Sequence, residues 1–475
     1  MLTVDKVKKL IPSVYTNQEM RSNQELWNQW YKGFVPSFHN YSRNNGITVR
    51  QRKMPVLRMA SKVCESWCSA LLSEDWQIEI SSSKGKIITA KTSSFVIGSS
   101  GTKGVIGSTN FKFLLNDCIE RSMGLGCGAI TVNLEDIGVD EFGTPIKTKE
   151  TRIGFNTFNA FEIFPISYQN RTVLECAFCS QKVYNNTTYD VLTTYTLNEN
   201  KEYIITNRVF NNDKEVSPEE IGLIGFMNTH SKLPWFFIIR TSKTNTIDYN
   251  SPFGESVFSD SIDVLEQIDL TYTCIQQELL ACRPLILFNS SLLTTDEQGR
   301  RVVPSDAMEQ WFQFYSDEMT NSTDNFVKEF HPKFNSDLND ELQMQLSILS
   351  SKCGLGRNTF QIKDNASITA TEVRYDEKTA SRSLKRQAIL LQQTLQQIIY
   401  TIVSIGADIL GLNVDTDCKV RVVLRPTTEE EMSIEYEKDL TLVDKGILTV
   451  DEFRQKHLAQ LGIKLENKSS ESNNS

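Results

Sequence analysis

Histidine is scarce in this sequence. Only His39, His230, His331 and His457 occur in 475 residues, and none falls at a metal-ligand spacing. GxSxG and HExxH are absent, which removes the serine-hydrolase elbow and the zinc-protease helix. No GxxxxGK[ST] occurs, and GSSGTKG at 98–104 is wrongly spaced for a phosphate loop. Positive charge is short as well: 50 Lys and Arg stand against 59 Asp and Glu, a net charge of −9. A protein that grips nucleic acid over a broad surface needs a basic excess to displace counterions. A protein that handles nucleic acid without holding it stays open. The most apolar stretch, 398–412, contains Ser404 and Asp408. It falls short of the roughly 20 residues of a membrane span and reads as a buried helix. The N-terminal MLTVDKVKKLIPSVY has no apolar core of a secretory signal. Glycine at 23 and proline at 12 are too few for a collagenous or linker-rich chain.

What is present is the composition of a folded protein: 39% hydrophobic and 23% charged residues, on a length suited to roughly two to four domains. Ten cysteines without a signal imply a reducing compartment and free thiols. Cys176 and Cys179 form a CxxC, but ECAFCSQKVY reads as a strand, and Cys64 and Cys68 sit on an apolar helix. Core packing is the reading for all four, and no metal or cofactor is expected.

Residues 1–75 carry helical periodicity. Trp27, Trp30, Tyr31 and Phe34 recur at helical spacing, and Leu57, Ala60, Val63, Cys64, Trp67 and Leu71 share a face. Strand patterns dominate 76–88 and 153–205, and Ser, Gly and Lys make 81–110 read as a mobile loop. Between them 111–123 predicts a helix leading through GLGCGA into the strand AITVNL. That order is the reverse of a dinucleotide fingerprint, so GxGxxA here carries no phosphate site. The fold class is α+β.

From Ser251 onward the pattern changes. A helix is expected from SPFG to about Cys282, with Phe258, Ile262, Leu265, Ile268, Tyr272, Ile275 and Leu279 as its stripe, roughly 40 Å long. Asp260, Asp263, Glu266 and Asp269 occupy the remainder of this rod. A strand-and-turn segment follows, then a helix over 337–353 with Leu338, Leu342, Leu346 and Leu349 on one face. Gly354-Leu355-Gly356 breaks the chain. Thr369-Ala370-Thr371-Glu372 reads as a capping box opening a helix of roughly 35–40 residues, far above the usual length. A strand at 419–424, two short helices at 428–443 and 449–460 and a polar tail complete the chain.

Several stretches, taken in this order, resemble phage portal proteins of siphophages infecting Gram-positive hosts. They are ELWNQWYKGFVPSFHNY (25–41), MASKVCESWCSALLSED (59–75), SMGLGCGA (122–129), SPFGESVFSDSIDVLEQID (251–269) and SITATEV (367–373). The resemblance implies a ring of about twelve subunits at one capsid vertex, through which double-stranded DNA is packaged and ejected. It implies a wing over 1–253, stem helices over 254–282 and 336–353, and a clip over 283–335 between them. A tunnel loop over 354–368, a long helix over 369–412, a wing return strand over 413–427 and a crown over 428–475 follow. Implied partners are further copies of the chain, the terminase large subunit, a head–tail adaptor, scaffold and the major capsid protein. The implied location is the virion, with the host cytoplasm during assembly. No membrane, cofactor or catalytic residue is implied, and ATP hydrolysis would fall to the terminase. Glu297, Arg300 and Arg301 are the clip's candidate partner contacts.

Side-chain chemistry suits that role. An acidic stem repeated around a ring would repel DNA and keep it centred; the alternative is a merely solvated acidic face. The tunnel loop mixes Arg357, Asn358, Thr359, Phe360, Gln361, Lys363, Asp364 and Asn365, suited to transient DNA contacts or to packing between neighbours. Arg374, Lys378, Arg382, Lys385 and Arg386 would bridge subunits through interleaved Asp376 and Glu377, or touch DNA. Two other classes stay open: a cytosolic self-assembling scaffold, and a nucleic-acid enzyme with a carboxylate cluster for Mg²⁺.

Overall fold

A computed structural model describes residues 2–44, 49–72, 76–99, 102–212, 214–282, 285–289, 310–314, 327–330, 336–360 and 370–424, with Gln298, Asp439, Leu440, Val443 and Phe453. Helices and strands are both abundant, and the class is α+β. In chain order the helices are α1 (Val4–Leu10), α2 (Gln18–Lys32), α3 (Pro36–His39), α4 (Met59–Leu71) and α5 (Lys86–Val96). Then come α6 (Val105–Ser108), α7 (Phe111–Leu125), α8 (Ile262–Ala281), α9 (Asp337–Lys352) and α10 (Ala370–Asp408). Contacts divide the chain into one unit of 1–31, 61–259 and 369–475 and a second of 32–60 and 260–368. The stretch 32–60, expected within the wing, therefore groups with the stem segments.

In the first unit, α7 packs on a three-stranded antiparallel sheet whose central strand is Cys127–Glu135, flanked by Phe236–Arg240 and Arg152–Asn159. Gly126 ends α7 in the left-handed conformation and turns the chain straight into that central strand. Five further strands between Ile163 and Val216 form an antiparallel meander, with Phe226–Asn228 pairing beside Tyr203–Asn211. An aromatic cluster of Phe158, Phe178, Tyr195, Tyr203 and Phe236 joins the two sheets, with ring centroids 4.7–5.9 Å apart. Edge-to-face and tilted packing of this kind adds to the burial of the rings. The tryptophan stripe of α2 and the cysteines of α4 are core, as the periodicity predicts: Trp27, Trp30, Cys64 and Cys68 are buried. Cys176 and Cys179 are buried on the strand Thr172–Tyr184 as free thiols.

The 39-residue α10 matches the expected long helix and begins one residue after Thr369, which lies outside the described residues. Leu384, Ala388, Leu391, Leu395, Ile398 and Ile402 form its buried stripe. Within it, 380–408 is long and apolar enough by composition to cross a membrane, and half of its most apolar window is buried against the protein. Gln387 fastens it to Phe236–Arg240 by accepting from Ser242 N–H at 2.5 Å and donating to Arg240 C=O at 2.9 Å. The return strand Lys419–Val423 pairs antiparallel with β3 (Gln77–Ser81), Val420 opposite Ile80 and Val422 opposite Ile78.

Two local expectations are corrected here. The segment 81–110 is not all loop: it carries α5 and α6, and on α5 Lys86 and Lys91 are exposed, Ser93 and Ser94 half-buried, and Thr92 and Val96 buried. Phe95 lies against α10 where a Cβ on Gly406 would come within 2.5 Å of the ring. Nor does the rod helix begin at SPFG. Residues 251–258 are eight consecutive buried positions without regular structure, and α8 starts only at Ile262, giving 20 residues and a length of about 30 Å.

The second unit contains α3, the ribbon of β1 (Asn40–Asn44) and β2 (Val49–Lys53), the helices α8 and α9, and a three-stranded sheet. In that sheet Leu285–Asn289 is central, parallel to Gln310–Phe314 and antiparallel to Val327–Phe330. The α9 stripe Leu342, Leu346 and Leu349 is buried as expected, with Leu338 half-buried. Asp263 near the start of α8 pairs with Lys352 at the end of α9, and Cys353 Sγ donates to Ser261 Oγ at 3.7 Å. The two helices therefore run antiparallel. The proposed crown, apart from four single residues, lies outside the described residues.

Candidate functional site

The helical pair α8–α9 is where the acidic candidates meet. Asp260 is exposed in the single 3₁₀ turn Ser259–Ser261, Asp263 is exposed one turn on, and Glu266 is half-buried a turn further. The spacing of three puts them on one side of the helix start. Lys352 Nζ stands 3.1 Å from Asp263 Oδ1 and is the main cause that holds the Asp263 carboxyl below its ordinary value. The acidic face is thus partly compensated at its centre.

Asp269 does not belong to that face, and its placement as a channel-lining residue is corrected. It is buried, 3% exposed, and held by two donors. Leu57 N–H donates to its Oδ1 at 2.9 Å and His39 Nε2 lies 3.1 Å from its Oδ2. The tautomer follows from the other ring nitrogen. Val35 N–H donates to His39 Nδ1 at 2.8 Å, so the ring proton resides on Nε2 and points at Asp269. Burial is the largest influence on the Asp269 carboxyl and raises its pKa, with the bonds from Leu57 and His39 opposing. His39 itself is fully buried, stacked on Phe34 and edge-on to Phe38. This buried histidine–carboxylate pair fastens 32–60 to the middle of α8 as a clamp. The pair is separated by 230 residues in sequence, and no local pattern signals it.

The start of the tunnel loop is a compact turn. Arg357 and Thr359 are exposed and Asn358 is half-buried, with Thr359 Oγ1 donating to Gly356 C=O at 2.7 Å. Phe360 is 9% exposed and packs inward, as an aromatic ring does when apolar surface is within reach, which leaves it out of the contacts expected of this loop. Gln361, Lys363, Asp364 and Asn365 lie outside the described residues, as do Glu297, Arg300 and Arg301. On α10, Arg382, Lys385 and Arg386 are exposed, while the side chains of Arg374 and Lys378 lie outside the described set.

In the first unit, two of the sequence stretches that carry the resemblance meet. Gly126 (φ +84°) and Gly254 touch backbone to backbone: a Cβ on Gly126 would sit 2.4 Å from Gly254 C=O. Val257 N–H donates to Met123 C=O at 2.9 Å. The buried Glu255 receives Thr246 N–H, Thr246 Oγ1 and Ser259 Oγ at 2.5–2.7 Å. These bonds satisfy an irregular segment that has no water to turn to, and the role is architectural.

A groove of about 1040 Å³ lies between the sheets of this unit, lined among others by Thr131, Asn133, Phe155, Thr193, Tyr195 and Asn207. Thr193 Oγ1 donates to Asn207 Oδ1 at 2.7 Å, and Asn207 Nδ2 donates to Ile224 C=O at 2.8 Å. Among the described residues, no three of His, Cys, Asp and Glu gather as metal ligands. The chain matches no protein-family model and no curated protein.

Proposed function

We propose that the chain is a phage portal protein: a ring of about twelve copies that conducts double-stranded DNA through one capsid vertex. The ring would also dock the terminase and a head–tail adaptor. The reading draws on element order: an α+β body, a helix, a small sheet, an antiparallel returning helix, a glycine turn, a long helix and a strand rejoining the body. The observation that carries it is the outer surface of α8–α9. Leu270, Leu279 and Leu280 on α8 and Met344 and Ile348 on α9 are 42–55% exposed. Apolar side chains of this size left exposed along two packed helices fit burial against neighbouring subunits, and repeated copies around a closed ring would cover them. The acidic start of α8, facing the axis of such a ring, would repel a polyanion and let it slide. Polar contacts from Arg357 and Thr359 would be transient, and the basic residues of α10 would bridge neighbours.

The test is native mass by light scattering with negative-stain images of the same fraction. Twelve copies of the 54.1 kDa chain give about 0.65 MDa around a central hole. A chain that stays monomeric after its scaffold protein is added would defeat the reading. A closed assembly that neither binds a packaging ATPase nor admits DNA would instead favour a plain scaffold.

A further inference from the structure

The strand Arg152–Asn159 is the edge of its sheet, bonded on one side only, to Cys127–Glu135. Which of its backbone groups face outward follows from a single bond. Val132 N–H donates to Trp235 C=O at 2.8 Å, on the side of Phe236–Arg240. Along an antiparallel strand the hydrogen-bonding direction alternates, so Thr131 and Asn133 bond the other way, to their partners Asn156 and Gly154. The N–H and C=O groups of Ile153, Phe155 and Thr157 are left pointing away from the sheet. Among the described residues, no backbone or side-chain hydrogen bond reaches them. Ile153 and Phe155 are 4% and 8% exposed, and backbone groups at such buried positions are nearly always paired.

This open edge borders the groove between the two sheets. Phe158, which packs on Phe178 with ring centroids 4.7 Å apart, lines the groove beside Phe155, Asn156 and Thr157. Most of its polar lining is uncharged: Thr131, Asn133, Asn156, Ser180, Thr193 and Asn207. The charged members are already engaged. Arg152 stands 3.6 Å from Glu135 and 3.3 Å from Asp136, and Lys182 Nζ donates to Ile221 C=O at 3.0 Å. Asn133 Oδ1 is buried without a donor, 3.1 Å from where a Cβ on Gly154 would stand. Sheet edges are ordinarily guarded by proline, lysine or a bulge. Here the register runs from Gly128 opposite Asn159 to Glu135 opposite Arg152 without a bulge, and the three outward positions are Ile, Phe and Thr.

We propose that Arg152–Asn159 and the adjoining groove bind an extended segment of a partner protein by strand addition, the segment being uncharged with small polar side chains at alternate positions. Its backbone would bond to Ile153, Phe155 and Thr157, each of which offers one donor and one acceptor. Successive side chains of such a segment point to opposite faces. One set would meet the amides and hydroxyls of the groove, with a serine or threonine donating to Asn133 Oδ1. The other would meet the half-buried Leu114 and is therefore apolar. A phosphate or a lysine finds no free opposite charge in this lining. The described strands with this alternation, Cys127–Glu135 and Thr187–Leu197, are already paired on both edges, so the segment comes from another protein and not from a second copy. The inference does not depend on the portal reading: binding is read on whatever assembly the chain forms, and native mass reports the ring separately.

The probe is a fluorescein-labelled peptide of residues 129–134, AITVNL, which has the right alternation and pairs with this same strand from its inner side. Fluorescence anisotropy with the full chain should show saturable binding below about 1 mM, and the peptide carrying Val132→Pro should lose it. In the protein, Thr157→Pro removes an outward N–H that has no partner among the described residues, a change an edge strand tolerates. It should keep the wild-type circular dichroism and urea midpoint while weakening peptide binding by about 10-fold or more. Asn156→Pro removes a bond to Thr131 and should disrupt the sheet, which checks the alternation. Hydrogen exchange on the wild type covers the case of a Thr157→Pro protein that fails to fold. The amides of Ile153, Phe155 and Thr157 should exchange fast in the free protein and about 10-fold slower or more with saturating peptide. Absence of saturable binding, or undiminished affinity in a folded Thr157→Pro protein, would overturn the proposal. So would slow exchange of the three amides in the free protein, because the chain would then cover its own edge.

Discussion

Replacing Asp269 by alanine tests the clamp directly. The substitution orphans two buried donors, Leu57 N–H and His39 Nε2–H, now 2.9 and 3.1 Å from its oxygens. Each buried donor left without an acceptor costs about 1–3 kcal/mol. Removing a carboxyl whose pKa burial has raised offsets part of that, so about 2–4 kcal/mol of destabilisation is expected. Asp269→Asn is not a neutral control. Its Oδ1 can keep the Leu57 bond, but its Nδ2 would face Nε2–H. The ring could accept from it only by moving its proton to Nδ1, towards Val35 C=O at 3.2 Å and at the expense of the bond from Val35 N–H, so a loss of about 1–3 kcal/mol remains. The proper comparison is Asp263→Asn on the same helix, where an exposed pair with Lys352 is worth about 0–1 kcal/mol. The assay is urea unfolding at pH 7 and matched subunit concentration, followed by circular dichroism. The pH dependence has a definite sign. A carboxyl raised in the folded state favours folding below its unfolded value of 3.8. That contribution is lost as pH rises through the folded value, and Asp269→Asn should flatten this part of the profile. If Asp269→Ala shifts stability no more than Asp263→Asn, the clamp contributes nothing and the argument from buried donors is wrong.

Gly126→Ala forces a side chain into a left-handed turn and places its Cβ 2.4 Å from Gly254 C=O. About 2–4 kcal/mol of destabilisation is expected in the same unfolding assay, and a neutral result would contradict the close approach. Thiol titration of the native protein at pH 8 should find Cys274 fast and Cys282 slower, while the eight buried cysteines react only in denaturant. Burial also pushes the Cys68, Cys118, Cys127 and Cys179 thiols up to about 12, which keeps them unreactive; rapid labelling of all ten would refute that packing. On the proposed portal reading, charge reversal of Asp260, Asp263 and Glu266 together should slow DNA packaging while rings still form, and unchanged packaging would end the acidic-lining idea.

The sequence was legible where one helix face decided the outcome. The stripes of α4, α9 and α10 repeat every three or four residues and are largely buried, with Leu57 and Leu338 half-buried, whereas the expected α8 stripe fails at Leu279, which is exposed. It misled where tertiary bonds outrank periodicity. Phe258 continues the α8 stripe in register, yet 251–258 is held out of the helix by Gly254 against Thr241 and by the bonds gathered on Glu255. Gly254 has no room for a side chain, since a Cβ there would meet Thr241 Oγ1 at 2.2 Å. In α5 composition was the wrong guide. Serine, glycine and lysine suggested a loop, but Thr92 and Val96, four residues apart, are buried on one face of a helix, with Phe95 against Gly406.

The second unit shows most clearly why charge has to be placed before it is interpreted. A count of acids along α8 treats Asp260, Asp263, Glu266 and Asp269 as equivalent. Their neighbours divide them into an exposed residue, one paired with Lys352, one half-buried and one buried as a clamp. A count over the whole chain likewise conceals 32–60, because six positive charges vanish into a net charge of −9. Four of the six lie on the β1–β2 ribbon, whose register sets Arg43 opposite Arg50. The two features share one element: His39, which Asp269 clamps to α8, also accepts Met54 N–H at the foot of the ribbon. Loss of Asp269 should therefore loosen the foot of the ribbon as well as lower folding stability, read as faster amide hydrogen exchange at Met54, whereas Asp263→Asn should leave that exchange unchanged. That difference distinguishes a ribbon braced through the clamp from one that folds without it.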